Sequence, residues 1–173
     1  LWIALNAPTR VNKLILESGG GVAFKPGTVQ APPSTGSEGH RESTFRALSD
    51  PTYENVLERL ERIIKDPDEV TEELIHVRMA HYARPDVSKA MTEAYERSGK
   101  AGPYFQENEL ANVKSPTLVI WCDKSTGLGP DAGERIASLI PGAKSVLIPN
   151  TSWWGHWQEW EQHNEHVLEF LLG

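Results

Sequence analysis

Of the six histidines in this chain, His156 has the setting of a side chain that does chemistry. It sits in Gly155-His156-Trp157, with Trp153 and Trp154 just before it, several residues after an apolar run. An imidazole both takes and gives a proton near neutrality, because its reference pKa is about 6.5. In a loop beyond the carboxyl end of a sheet strand, it would serve as a general base. The same surroundings suit a histidine packed among aromatics as a structural hydrogen-bonder, and spacing alone leaves both readings open. A base of this kind needs a carboxylate to hold its ring, on the turn after the preceding strand. That turn is Cys122-Asp123-Lys124-Ser125-Thr126-Gly127, and Asp123 is its only acid. Asp131 reads instead as a helix N-terminal residue, favoured by the helix dipole.

The remaining candidates read as structural. His163 and His166 lie three apart on the last amphipathic segment, a spacing that can hold a metal. No third ligand accompanies them, so no metal site is expected and both read as surface helix residues. His76 and His81, five apart, fall on different helix faces, and His40 lies in a linker. The single cysteine, Cys122, ends an apolar strand and reads as a small buried residue. Alone it forms no internal disulfide, which suits a reducing, cytoplasmic setting. Gly19-Gly20-Gly21 follows a strand but lacks the G-x-x-x-x-G-K-[ST] pattern of a phosphate loop. It reads as a place where backbone comes close to a ligand or another segment.

The elements that would position these groups fall into two kinds. Leu1–Ala7 reads as the last turns of a helix, broken by Pro8, and Val11–Leu16 as an interior strand ended by Glu17-Ser18-Gly19. Val22–Gly39 is rich in Pro, Gly, Ser and Thr and reads as a linker. From Arg41 to Lys100 the apolar residues repeat at helical spacing. One helix is expected to start at Asp50-Pro51, a second at Thr71, and a third to run from Asp86 to Arg97 and stop at Ser98-Gly99. Strand character resumes at Pro116–Trp121 (PTLVIW) and returns at Ser145–Pro149 (SVLIP), with a helix between and another at the end. Short helices inserted between α/β segments read as a cap over a sheet. The expected division is a core segment at 1–21, linker and helical cap at 22–112, and α/β core at 113–173.

Composition narrows the partners. The net charge of −7 and the scattering of Lys and Arg disfavour nucleic acid. No apolar run approaches the roughly 18 residues that span a membrane. The opening Leu1-Trp2-Ile3-Ala4-Leu5 is too short for a signal-peptide core and lacks an initiator Met, so it reads as an internal cut. A small-molecule substrate is the expected partner.

Strand, helix, strand, histidine-bearing loop and C-terminal helix, in that order, resemble the end of an α/β-hydrolase. More closely, the chain resembles the C-terminal part of the hydrolases that cleave carbon–carbon bonds in meta-cleavage products of aromatic degradation, the 2-hydroxy-6-oxo-dienoate hydrolases. The resemblance is carried by ALNAPTRVNKLIL, SGGG, DPTYENVLERLERIIKDPDEVTEELIHVR, SPTLVIWCDKSTGLGPDAGERIASLIPGAKSVLIP and GHWQEWEQ. It implies a partial α/β-hydrolase sheet with a helical cap insertion and no metal or organic cofactor. It implies His156 as the triad base, Trp157 lining the pocket beside it, and Arg78 as a cap-helix guanidinium facing the substrate. The chain departs from the family in three ways. No G-x-S-x-G nucleophile elbow is present. The family's aspartate aligns with Ser125, two residues beyond Asp123. An ungapped alignment brings Trp153, rather than His156, to the triad position; a three-residue shift keeps GHW and WEQ intact.

These departures leave two functions open. One is the C-terminal portion of a C–C or ester hydrolase, inactive by itself because the serine is absent. The other is a hydrolase-derived binding module without catalysis. Only about three strands of a larger sheet are expected, with a hydrophobic edge at Val11–Leu16 that invites a second copy or a missing N-terminal half.

Overall fold

The computed structural model describes residues 1–19, 21–29, 37–64, 66–101, 104–125 and 128–173. Thr126, Gly127 and Gly20, expected in the loops after two strands, lie outside the described residues, as does much of the linker.

In chain order the elements are α1 (Trp2–Asn6), a 3-10 turn (Pro8–Arg10), β1 (Leu14–Glu17), β2 (Val22–Ala23), α2 (Ser37–Ser49), α3 (Tyr53–Glu61), a 3-10 turn (Pro67–Glu69), α4 (Glu72–Tyr82), α5 (Pro85–Ala101), β3 (Phe105–Gln106), a 3-10 stretch (Glu107–Asn112), β4 (Thr117–Cys122), α6 (Asp131–Leu139), β5 (Lys144–Ile148), α7 (Gly155–Gln158) and α8 (Trp160–Leu172). They form two compact units, Leu1–Pro32 with Pro103–Gly173, and Pro33–Gly102. Within the sheet-bearing unit β2 pairs in parallel with β3, joining the two segments that flank the helical stretch in sequence.

The sheet-bearing unit is organised by β4. All six of its residues are buried, as expected of a parallel strand covered on both faces. β1 and β5 flank it, both parallel, in the order β1-β4-β5. Side-chain alternation divides the core. Val119 and Trp121 share one face with Leu16, Ala4 of α1, and Ala132 and Ile136 of α6. Leu118, Ile120 and Ile148 share the other with Ile15 and with Val167 and Phe170 of α8. Gly133 lets α6 come close to the sheet, because a Cβ there would lie 2.6 Å from the Cβ of Trp121.

Two element starts differ from expectation for local reasons. β1 begins at Leu14 rather than Val11, because the Val11 amide closes the 3-10 turn on Pro8 and the ladder first forms at Leu14 N–H to Pro116 O, 2.9 Å. It also includes Glu17, although Glu17-Ser18-Gly19 reads as a strand terminator. α3 starts at Tyr53 because Thr52, not Asp50, is the N-cap: its hydroxyl accepts from the Asn55 amide at 3.3 Å. In the helical unit, Thr71 caps α4 in the same way, accepting from the Leu74 amide. α5 runs through the expected stop at Ser98-Gly99 as far as Ala101.

Candidate functional site

The carboxyl ends of β1, β4 and β5 meet where parallel sheets hold ligand groups. After β5 the chain turns through Asn150, at φ +59°, and is pinned to the end of β4. The Asp123 amide donates to Ile148 O (3.1 Å) and the Lys124 amide to Thr151 O (3.0 Å). Buried Thr151 hydrogen-bonds the Gln158 side chain at 3.0 Å, tying this turn to α7. Gly155 opens α7 against the thiol of Cys122; a Cβ there would sit 3.3 Å from the sulfur. These contacts place His156, the second residue of α7, at the rim of the sheet.

The His156 ring meets a carboxylate there. Its Nδ1 lies 2.9 Å from Oε1 of Glu17, the last residue of β1. The other carboxylate oxygen, Oε2, is 3.5 Å from Nε2 of His163 on α8. The two imidazoles pack edge to face at 6.0 Å between centroids, and the Trp154 ring lies 5.7 Å from His156. The imidazole of His156 is 47% exposed, whereas His163 is nearly covered. Partial burial raises the Glu17 carboxyl pKa, but the bonds and charges of His156 and His163 outweigh that and hold it below the usual carboxylate value. Glu17 is therefore an anion between two rings near neutrality.

Asp123 lies elsewhere in this arrangement. Its Oδ2 pairs with Lys124 at 3.1 Å, and its buried Oδ1 has no hydrogen-bond partner among the described residues. The carboxylate bonded to His156 is Glu17. Ser125 is buried, and its hydroxyl has no hydrogen-bond partner among the described residues. Trp157 is partly exposed on α7. Arg78 sits on α4 of the helical unit, half-buried. Cys122 is buried, and burial pushes its thiol pKa up against the opposing hydrogen bonds from Ser18 and Gly155, so it is a poor nucleophile.

His163 was expected on the surface and is instead buried on the sheet side of α8. Its signal was present in the sequence: His163, Val167 and Phe170 are spaced by four and three, and the latter two pack on the sheet. Glu17 carried no comparable signal, since its partner lies 139 residues away. No group of three or more potential metal ligands is found among the described residues. No described helix is long and apolar enough to cross a membrane.

No protein-family model matches the chain. It is 31% identical over 171 residues to the 2-hydroxy-6-oxononadienedioate/2-hydroxy-6-oxononatrienedioate hydrolase of Burkholderia vietnamiensis, covering 97% of this chain and 56% of that protein. A second such hydrolase, from Pseudomonas putida, is 29% identical over the same share of the chain and 57% of its own length. The chain thus spans a little over half the length of the curated relatives it matches. Among solved structures it is similar to the 2-hydroxy-6-oxo-6-phenylhexa-2,4-dienoate hydrolase of Rhodococcus sp. strain RHA1, with a TM-score of 0.77, 16% identity, 99% of this chain and 59% of the other covered. The fold is that of a partial α/β-hydrolase, and the chain resembles the meta-cleavage product hydrolases across nearly all of its residues.

Proposed function

We propose that this chain carries the acid–base histidine of a hydrolase acting on carbon–carbon bonds of 2-hydroxy-6-oxo-dienoates. The single observation that supports this most is His156 itself: an imidazole at the carboxyl rim of a parallel sheet, bonded through Nδ1 to a carboxylate anion. In such a reaction the enol substrate becomes a ketone. Serine-assisted hydrolysis then breaks the C–C bond and releases a dienoic acid and a second acid. His156 would take the proton from the nucleophile and return it to the departing carbon or oxygen. Arg78 is proposed as the guanidinium that binds a substrate carboxylate, and Trp157 as an apolar wall beside the base. The 173 residues contain no G-x-S-x-G motif, so the 173-residue chain by itself is expected to turn over no dienoate.

β1 has one strand neighbour among the described residues. An open parallel edge is a template for a further strand, and the relatives' additional length supports a segment of the same kind of protein as its occupant.

A second reading, a binding module without catalysis, is favoured by Ser125, a buried hydroxyl with no hydrogen-bond partner among the described residues, on the turn where an acid is expected. Kinetics separate the two. In the complete protein encoding this stretch, turnover of 2-hydroxy-6-oxononadienedioate is followed by loss of the dienoate absorbance. His156→Gln should lower kcat by roughly 10⁶-fold, the scale of losing a triad base. Binding without turnover would support the module instead, and turnover indifferent to that substitution would remove His156 from the reaction.

A further inference from the structure

We propose that Glu17, at the end of β1, is the carboxylate that orients His156, in place of any acid on the turn after β4. The inference deepens the proposed function and rests on it for its catalytic consequence, although the geometry stands by itself.

Glu17 is fixed from three sides. Strand register sets Leu16 beside Val119 and Glu17 beside Ile120. Alternation along β1 sends Leu16 into the core shared with α1 and α6, and Ile15 to the face covered by α8. Glu17 follows Ile15 by two and so belongs to the α8 face, where His163 lies. Immediately after it, Ser18 adopts φ +45°, an uncommon conformation for a residue with a side chain. Its amide donates to Ile120 O at 3.0 Å, which stops the strand with Glu17 at its tip. His163 then stands against the carboxylate oxygen that His156 does not use, at 3.5 Å. Its own Nδ1 is 3.2 Å from the Asn164 side-chain oxygen, so the ring is held on its far side as well.

The chemical consequence concerns where a proton sits on His156. An ionised carboxylate only accepts hydrogen bonds. Nδ1, which faces Glu17, must therefore carry the hydrogen, and Nε2 of the neutral ring keeps its lone pair. That is the tautomer a general base requires, and it is the task of the acid in a serine-histidine-acid triad. Asp123 is engaged by Lys124, and Ser125 offers no negative charge. Glu17 is a positioning residue: it acts through the imidazole and touches no reacting atom.

Nitrogen NMR of the 173-residue chain, labelled with ¹⁵N-histidine, tests this without any turnover. His156→Gln assigns the ring. At a pH where the ring is neutral, Nδ1 of His156 should appear as the protonated, pyrrole-type nitrogen and Nε2 as the pyridine type. Glu17→Gln presents an amide that can donate to Nδ1, and should exchange the two; Asp123→Asn should leave them as they are. A wild-type ring protonated at Nε2, or a ring that responds to Asp123→Asn and ignores Glu17→Gln, overturns the inference. In the complete protein Glu17→Gln should cost about 10⁴-fold in kcat with little change in KM, the scale of a wrong-tautomer defect. Absence of dienoate turnover in the wild-type protein would count against the proposed substrate, while the NMR result would still decide the role of Glu17.

Discussion

Acid should loosen the helical unit through one ring, His40. It lies on α2, with Arg59 of α3 and Arg62, the residue just after α3, beside it. The Arg59 guanidinium is buried and donates to the ring from Nη1, 3.1 Å from Nε2, and to the Tyr95 hydroxyl from Nη2 at 3.3 Å. A guanidinium only donates, so the imidazole must accept and stay neutral. Burial first, and then the charges of Arg59 and Arg62, push its pKa from 6.5 down to about 4. The folded value lies below the unfolded one, so the unfolded chain binds the extra proton in between. The contribution is complete above pH 6.5 and is lost as pH falls toward about 4. The full separation corresponds to about 3 kcal/mol. The ring is only partly buried, and screening by solvent reduces this to about 1–2 kcal/mol. Urea unfolding followed by far-ultraviolet circular dichroism at about pH 7 and about pH 4.5 measures it. Carboxylates also titrate there, so the informative quantity is the difference between wild type and His40→Gln, which keeps an acceptor for Arg59 and cannot charge. Wild type should lose about 1–2 kcal/mol more than the variant over this interval. Equal losses, or a larger loss in the variant, would refute the argument.

Three further outcomes follow from packing and pairing. Gly133→Ala places a methyl 2.6 Å from the Cβ of buried Trp121, so α6 must shift from the sheet; about 1–3 kcal/mol of stability should be lost in chemical denaturation. Thr71→Ala removes the oxygen that accepts the Leu74 amide and should cost about 1 kcal/mol, with helical amides at the start of α4 exchanging faster with solvent. The open edge of β1 should make the 173-residue chain self-associate, and gel filtration across a concentration series should show species above monomer; a clean monomer at every concentration would argue against edge pairing.

Much of this architecture was legible locally. β4 reads as a buried strand because six consecutive residues form an apolar, β-branched run, and all six are buried. α4 announces itself through Thr71 followed by two glutamates, since an N-cap oxygen and early negative charge satisfy exposed amides and the helix dipole. β2 and β3 were not legible, because two-residue strands have no periodicity and exist only by pairing with each other across the helical insertion. α3 was placed two residues early because Asp50-Pro51 and Thr52 both resemble a start, and only the hydrogen bond from Asn55 selects between them.

The sequence by itself determined that a histidine would follow β5 closely, because the order of apolar runs and the Gly-His-Trp step require only neighbouring residues; that it stands in a helical turn, α7, was decided by the fold. The sequence also carries the family resemblance on which the task proposed for this histidine rests. Which carboxylate would meet it was decided by tertiary structure alone. Asp123 is close in sequence to β4, but its turn directs it to Lys124. Glu17 is remote in sequence, yet parallel pairing brings the tip of β1 to the end of β4, and the pinned loop after β5 brings α7 to the same rim. A hydrogen bond between residues 139 positions apart depends on strand register and crossover packing, and neither is written in the residues around Glu17.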